Sequence, residues 1–519
     1  MTPFVPLRWF QRTRQGWEAL GVFLVAATVL AWVILPLGGL LGPDGYYHFR
    51  LADVMAREGL FRAVDALPFT ILGEELPDHH LLWHWLLIPF TWAPDSAQGV
   101  QWAAIVTGAM VPAGIFLFAR RFDVPLPALW ALLAVCAVLI LPGRFVMLRA
   151  QNIAILLIFA SLWALLEHRL RTLCALAFVF MLTYHGAVIL GPLVLLFVAA
   201  TWVKERRLDL RPVLAAGAGG ILGLVVNPYF PESFEYLYFH TVLTVPEAGV
   251  GTGGGSEWSA PPWAMLFEQA WPVHVLLLGS VSTAWLIGRR LGENILTKVS
   301  VMMLFSALLA LAMTKGAQRF AEYYGPLGIL ASACCVRDIF AVHPPSTRMR
   351  LFLAAFLIGL IVSQGARGLL VIDKHSEFRP DKYADIGHVL EHEAKPGEIV
   401  FNSAYHDFPF LYFHRPELKY VIGLDTHYLS EANALLYEEW RWIQGISADE
   451  PNDPAPLIRA HFHARFAVVA REHPGLAKRL LRSPHATPLL GTGWGWLFRI
   501  ELPDEVAPKA PGVRGERAQ

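Results

Sequence analysis

Three short stretches of this chain gather the residue types that do polar chemistry beside a membrane. The first reads Gly42, Pro43, Asp44, Gly45, Tyr46, Tyr47, His48, Phe49, Arg50. Gly and Pro fix a turn and hold a carboxylate next to it, and such a group can take a proton from an acceptor or ligate a divalent cation. Asp44 can equally cap the helix that begins at Gly45 or Tyr46, a role Asp fills readily. The second stretch, Asp78 through His84, places His80 and His84 one helical turn apart with Asp78 at the start. That spacing lets two imidazoles hold a transition metal. Its alternative is an interfacial helix, with Trp83, Trp85 and Trp92 at headgroup depth and the histidines turned to water. The third stretch, Lys315 through Tyr324, sets Arg319 three residues before Glu322. Ionisable groups at membrane depth cost about 2.5 to 3.5 kcal/mol each, so they need a partner or a use. The two can neutralise each other, or Arg319 can grip a phosphate with its planar fork of donors, joined by Arg144 and Arg149. For the latter pair the alternative is snorkelling to the lipid headgroups.

The elements that must position these residues are membrane helices. Of 519 residues, 55% are hydrophobic and only 16% charged, against about 25% charged in soluble domains. Apolar runs long enough to cross a hydrocarbon core of roughly 30 Å recur about eleven times. They cover 17–41, 97–119, 125–142, 149–167, 170–184, 186–203, 210–227, 272–289, 296–314, 319–338 and 350–371. The first follows Arg8, Arg12 and Arg14 but is too long for a signal peptide and lacks a small-residue cleavage pattern, so it reads as a retained anchor. Lys and Arg concentrate in alternate loops, with Arg120 and Arg121, Arg169 and Arg171, and Lys204, Arg206 and Arg207 on one side. The bias puts the N-terminus in the cytoplasm and, after an odd number of spans, the C-terminus outside.

Two outer loops are long, 42–96 and 228–271, and long loops in compact proteins carry function or disorder. The first contains an amphipathic stretch from Tyr46 to Glu58 and a short apolar helix from His80 to Trp92. The other sets Gly249, Gly251, Gly253, Gly254 and Gly255 before Ser256, Glu257, Trp258 and Ser259, a hinge adjoining a polar segment. Beyond 372 the pattern turns to a mixed α/β domain outside the membrane, with strands Ile399 to Asn402, Tyr420 to Gly423, Phe466 to Ala470 and Trp496 to Glu501. Helices are expected at Glu431 to Ile446 and Leu476 to Leu481. The domains are thus a transmembrane part over 1–371, a soluble extracytoplasmic part over 372–502 and a disordered tail over 503–519. Lys plus Arg and Asp plus Glu both number 42, which leaves no net field to hold nucleic acid. Cys136, Cys174, Cys334 and Cys335 lie in apolar runs without the spacing of a zinc site or disulfide framework.

The run Asp44, Gly45, Tyr46, Tyr47, His48, Arg50, between a first span and an interfacial helix, resembles the first outer loop of GT-C membrane glycosyltransferases, especially the oligosaccharyltransferase catalytic subunit. The segment from Asp78, His79 and His80 to Phe90, the segment Arg319 to Tyr324 and the outer C-terminal domain are similar in order and setting. The chain departs at two places. Arg149, Ala150, Gln151, Asn152 stand where that family carries an Asp-x-Asp motif, and Ala404, Tyr405, His406, Asp407, Phe408 stand where it carries Trp-Trp-Asp. The resemblance implies a polytopic α-helical membrane fold of the GT-C kind, and an enzyme moving a hexosyl or oligosaccharyl group from a polyprenyl phosphate or diphosphate to a protein, glycan or lipid acceptor outside a bacterial inner membrane. By the same resemblance Asp44 is a catalytic carboxylate, with Asp78 completing the site. Tyr47, His48, Arg50, Arg149, Glu257, Arg319 and Tyr323 bind substrate, and Asp44, His80 and His84 are candidate ligands for Mg or Mn. A transporter or lipid flippase would equally account for many spans and buried charges, but leaves the outer domain and loops without a task. A noncatalytic membrane scaffold is a third reading.

Overall fold

The computed structural model describes residues 5–60, 65–73, 78, 80–238, 241, 256–372, 378–445 and 450–501. The glycines at 249, 251 and 253–255, His79 and the tail from 503 lie outside the described residues. The chain forms two compact units, Met1–His48 with Asp78–Arg379, and Phe49–Pro77 with Pro380–Gln519.

The first unit is helical. Its opening elements are α1 (Val5–Leu37), α2 (Asp44–Glu58, whose first turn belongs to this unit), α3 (Leu81–Thr91), α4 (Ser96–Arg121), α5 (Pro127–Ala134), α6 (Leu141–Arg144), α7 (Gln151–Leu166), α8 (Leu170–Thr183), α9 (Leu190–Glu205) and α10 (Arg211–Val226). Among the described residues, seven stretches are long and apolar enough to cross a membrane: Arg14–Leu37, Ser96–Arg121, His185–Glu205, Trp263–Leu291, Lys298–Gly316, Gln318–Val342 and Thr347–Ile372. They account for seven of the expected runs. Of the remaining four, three form α7, α8 and α10, of 16, 14 and 16 residues, which at about 1.5 Å per residue fall short of a full hydrocarbon core. The run 125–142 is broken into α5 and α6, because the backbone leaves the helix between them: Leu139 N–H donates to the carbonyl of Gln269 at 3.0 Å. Close packing among the shorter helices uses small residues, as where a side chain at Gly219 of α10 would overlap the Cys174 carbonyl of α8.

The expectation that α3 floats at headgroup depth with its histidines in water is overturned. Trp83 is fully buried, His84 is 1% exposed and His80 7%, whereas Trp92 stays 75% exposed. The polar face of α3 turns inward because the imidazoles find partners there, as the site below requires.

The second unit is built on a five-stranded sheet of order β2-β1-β3-β5-β4, with β1 (Ile399–Asn402), β2 (Lys419–Tyr420), β3 (Phe466–Ala470), β4 (Ala486–Gly491) and β5 (Gly495–Ile500). Strands β2, β1 and β3 are parallel, and β5 and β4 continue antiparallel. Strands β1 and β3 have the expected bounds. β4 escapes the sequence pattern because Pro488 interrupts it, and a proline is tolerated there only because the strand is at the edge. The expected helix from Glu431 is two, His427–Ala432 and Ala434–Gln444, since the Asn433 side chain accepts the Leu436 N–H at 3.0 Å and caps the second. Part of the first outer loop belongs to this unit rather than to the transmembrane part. Tyr420 N–H donates to Ala66 at 2.8 Å, and Ile71 N–H to Tyr428 at 2.9 Å.

Phe401, Trp440, Phe462, Val469 and Phe498 fill the core of this unit, and one polar residue stands inside it. Asn402, with no exposed surface, donates to the carbonyls of Ala404 at 3.0 Å and Ile422 at 2.7 Å and accepts from the amides of Val421 and Ile422. Every donor and acceptor of its amide is used, so it ties β1 to the segment after β2. Asn402→Ala strands several buried backbone groups at once and should cost roughly 2 to 3 kcal/mol. Hydrogen exchange on the full-length protein checks this: amides of β1 and of 420–423 should lose protection while the helices of the first unit keep theirs.

Candidate active site

Asp44 opens α2, and its carboxylate meets a guanidinium rather than the helix amides: Asp44 Oδ2 lies 3.3 Å from Arg149 Nη2. The capping role is therefore not the one it fills. The meeting is eased by Gly45. A side chain there would displace a methyl of Leu40 and press on the Met147 carbonyl oxygen at 3.0 Å, so glycine favours the close approach of the start of α2 to the segment that carries Arg149. That segment is held in shape by Asn152, whose Nδ2 donates to Phe145 O at 2.9 Å, and it passes through Leu148 at φ 53°. A leucine in that left-handed region costs about 1 to 2 kcal/mol, a strain typical of segments that aim a functional side chain.

Arg149 has a second partner. Its Nη1 lies 3.2 Å from Glu257 Oε2, which also accepts from Arg144 Nη2 at 2.9 Å. Arg319 Nη1 approaches the other oxygen, Glu257 Oε1, at 3.5 Å. Three guanidinium groups thus converge on one carboxylate. Glu257 sits on a single 3-10 turn, Ser256–Trp258, anchored where Gln318 N–H donates to Ser259 O at 3.1 Å and Lys315 Nζ to Pro261 O at 2.8 Å. The expected pairing of Arg319 with Glu322 is replaced: Glu322 pairs with Arg144, and Arg319 stacks on Trp258, its guanidinium carbon 4.0 Å from the ring centre. On the 3-10 turn Gln318–Phe320, Arg319 lies a turn before the helix Ala321–Val342 that carries Glu322, so the two side chains leave in different directions.

Burial works against the charge of Glu257, but Arg149, Arg319 and Arg144 outweigh it and hold its carboxyl well below the ordinary carboxylate range. Behind the cluster, Gln151 Nε2 donates to the Tyr184 hydroxyl at 3.2 Å, and Tyr184 is hydrogen-bonded to Tyr323. Tyr184, Tyr323, Arg319, Trp258 and His185 line a cavity of about 210 Å³, closed on its apolar side by Ile189, Pro192, Met313 and Phe320.

The histidines form a second, connected group. Asp78 accepts the His80 N–H at 2.8 Å, and its other oxygen accepts from His84 Nδ1 at 2.8 Å. With that proton on Nδ1, His84 Nε2 accepts from His48 Nδ1, also at 2.8 Å. Tyr47 packs edge-on against His84, while His80 stacks on Tyr184 and reaches His185 at 3.2 Å. Thus Asp78, His84 and His48 make one carboxylate–imidazole–imidazole chain, and His80 leads from it to the cavity wall. Asp44, His80 and His84 do not make a ligand set for Mg or Mn as placed, since Asp44 is turned to Arg149 and both His84 nitrogens are engaged. Among the described residues no group of three or more His, Cys, Asp or Glu side chains is positioned to hold a metal ion. Arg50 belongs to the second unit, where Nε donates to Phe413 O at 2.7 Å and Nη1 pairs with Asp53 at 2.6 Å. In the same unit Asp407, in the run compared with Trp-Trp-Asp, takes Lys382 Nζ at 2.9 Å and the Tyr383 hydroxyl at 2.6 Å.

Of the residues expected to bind substrate, Arg149, Glu257, Arg319 and Tyr323 are brought together with Asp44, while Tyr47 and His48 belong to the histidine group. Trp258, Tyr184 and Gln151 received no role from the sequence. The one signal near Tyr184 is His185, the single residue between the apolar runs 170–184 and 186–203.

Among the described residues, seven apolar helices long enough to cross a membrane, with a charged cluster gathered where loops leave them, define an integral membrane protein. No protein-family model matches the chain, and no curated protein matches it. Among solved structures, ArnT from Cupriavidus metallidurans, in the apo state, shares the fold at a TM-score of 0.53 and 14% sequence identity, over 94% of this chain and 98% of that one. The fold is ArnT-like, with a small mixed sheet toward the C-terminus.

The depressed titration of Glu257 fixes a sign. A group whose folded-state value lies below its unfolded value of 4.5 stabilises the fold above that pH and loses the contribution as pH falls through the folded value. Glu257→Gln should therefore melt lower than wild type at pH 7, by roughly 1 to 3 kcal/mol. The gap should narrow below pH 4.5. Paired thermal melts across that range check it, and a gap that widens toward acid would reverse the assignment.

Proposed function

We propose that this protein is a membrane glycosyltransferase that moves a hexosyl or oligosaccharyl group from a polyprenyl phosphate or diphosphate to an acceptor on the outer face of a bacterial inner membrane. The observation that carries the reading is the convergence of Arg144, Arg149 and Arg319 on one anion position. It stands beside a cavity whose other wall is aliphatic and aromatic. A donor of this class needs both, donors for its phosphate and an apolar surface for its first isoprene units. The GT-C-like fold shared with ArnT supports the same reading.

In this mechanism Glu257 occupies, in the resting protein, the position that the donor phosphate takes. The phosphate displaces the carboxylate, and Arg319 neutralises the charge that grows as the sugar–phosphate bond breaks and its electron pair passes to the bridging oxygen. Asp44 accepts the proton of the attacking acceptor group. It is the most open carboxylate of the cluster, its side chain 36% exposed against 6% for Glu322. Attack from the face opposite the phosphate would invert the anomeric centre, as the resemblance to the family implies. Charge neutralisation comes from guanidinium groups, and the histidine chain orients the wall of the cavity through His80 and His185.

Incubating purified protein with radiolabelled polyprenyl-linked sugars and candidate acceptors tests the reading, because turnover separates an enzyme from a transporter. Asp44→Asn should abolish transfer without lowering the melting temperature, since the amide keeps the size of the carboxylate. Arg319→Lys keeps charge but loses the fork, and should weaken donor use about ten- to a hundredfold. Glu257→Gln should move the other way and lower the KM for donor, because the anion position is no longer contested. Donor titrations on the three variants decide it: unchanged donor dependence in Arg319→Lys, together with a raised KM in Glu257→Gln, would make the cluster structural.

A further inference from the structure

The ends of α1, α4 and α7 remote from Asp44 and Arg149 enclose a cavity of about 760 Å³. Gln15 of α1, some 22 residues and so about 33 Å of helix before the end at Leu37, lies at its rim with Arg121 and Arg169. Leu156, Phe159 and the bare backbone of Gly114 form its floor. The cavity is therefore amphiphilic along its length, polar at the mouth and hydrocarbon-like within.

The cations at the mouth are arranged as a pair around one acid. Arg121 Nε lies 2.5 Å from Glu167 Oε1, and Arg169 Nε 2.9 Å from Glu167 Oε2. A single carboxylate thus answers two guanidinium groups and leaves one positive charge uncompensated. Both Arg side chains are more than half exposed, at 58% and 54%. Among the described residues no hydrogen bond takes up the terminal nitrogens of either. Arg169 is held in place by Trp163, its guanidinium carbon 5.0 Å from the ring centre, and an indole at that depth suits the lipid headgroup layer. Nearby, Arg120 and Arg14 share Glu18 in the same two-to-one ratio.

We infer that this groove is a binding site for one anionic phospholipid, its phosphate held by Arg121 and Arg169 and an acyl chain laid over Leu156, Phe159 and Gly114. Charge complementarity selects the headgroup, and the apolar floor selects a lipid over a soluble anion. The site lies at the opposite end of the helices from the transferase cluster and does not depend on what that cluster does.

The test is a lipid titration read by native mass spectrometry on delipidated, detergent-purified full-length protein, comparing phosphatidylglycerol with phosphatidylcholine. Wild type should hold one phosphatidylglycerol in preference to phosphatidylcholine. Arg121→Gln and Arg169→Gln should each lower that preference about fivefold, each leaving Glu167 its other partner. Ala160→Leu, which fills the floor without touching a charge, should remove bound lipid of either headgroup. Arg290→Gln, a cation outside the groove, should change nothing. Equal binding of the two lipids by wild type would overturn the site, and so would an undiminished preference in both groove arginine variants or an equal loss in Arg290→Gln. Binding is read without turnover, so the result stands apart from glycosyl transfer.

Discussion

Guanidinium groups withdrawn from water beside a hydrocarbon slab cannot stand alone, and the centre of this protein is arranged around that constraint. Arg144, Arg149 and Arg319 face Asp44, Glu257 and Glu322, three charges against three, so the cluster as a whole is neutral. Burying paired charge gives little net stability, because desolvation consumes most of the Coulombic gain. What pairing provides here is position: each guanidinium is fixed by a carboxylate that itself stands on a short, tightly anchored turn. Arg319 loses part of its hydration to the face of Trp258, which replaces water with the ring quadrupole.

Holding these groups at hydrogen-bonding distance imposes conditions on the backbone. The close approach of α2 to the segment 147–149 leaves little room for a side chain at position 45. Leu148 accepts a left-handed conformation so that Arg149 can turn toward Asp44 and Glu257 together. Both Glu257 and Arg319 stand on single 3-10 turns rather than on long helices, and the two turns are joined through backbone hydrogen bonding and the packing of Trp258 on Phe320. The long helices supply the scaffold, and short strained segments at their ends do the aiming, a common division of labour between rigid elements and functional loops.

How much of this the sequence disclosed follows from the range of each interaction. Apolar runs are local, so seven membrane-length helices could be read directly, and runs interrupted by a tertiary contact, such as Leu139 to Gln269, could not. The parallel strands β1 and β3 were legible because fully buried strands read as continuous β-branched and aromatic runs. The edge strand β4, half exposed and broken by Pro488, gave no such signal. The arginines of the site were visible as charges in apolar surroundings, but their partners were not. Spacing of three residues suggested that Arg319 and Glu322 pair, whereas Glu322 pairs with Arg144, 178 residues away in the chain. Glu257, expected among the residues that bind substrate, is the residue on which all three arginines converge.

The neutrality of the cluster also constrains what can enter it. An incoming cation would leave the neutral cluster with an uncompensated positive charge, and an incoming neutral group would have to break a charge pair without replacing it, at a cost of several kcal/mol. An incoming anion can take over the guanidinium groups as a carboxylate leaves, and the charge balance of the pocket is preserved throughout the exchange. Among the three carboxylates, Glu322 is buried and fixed in the first turn of a long helix, and Asp44 has one arginine partner. Glu257 alone combines three arginine contacts with a place on a single short turn. The exchange therefore has one carboxylate suited to it, and the fork of Arg319, already desolvated against Trp258, can grip the two non-bridging oxygens of a phosphodiester as it does a carboxylate and gains more as the leaving phosphate acquires a third.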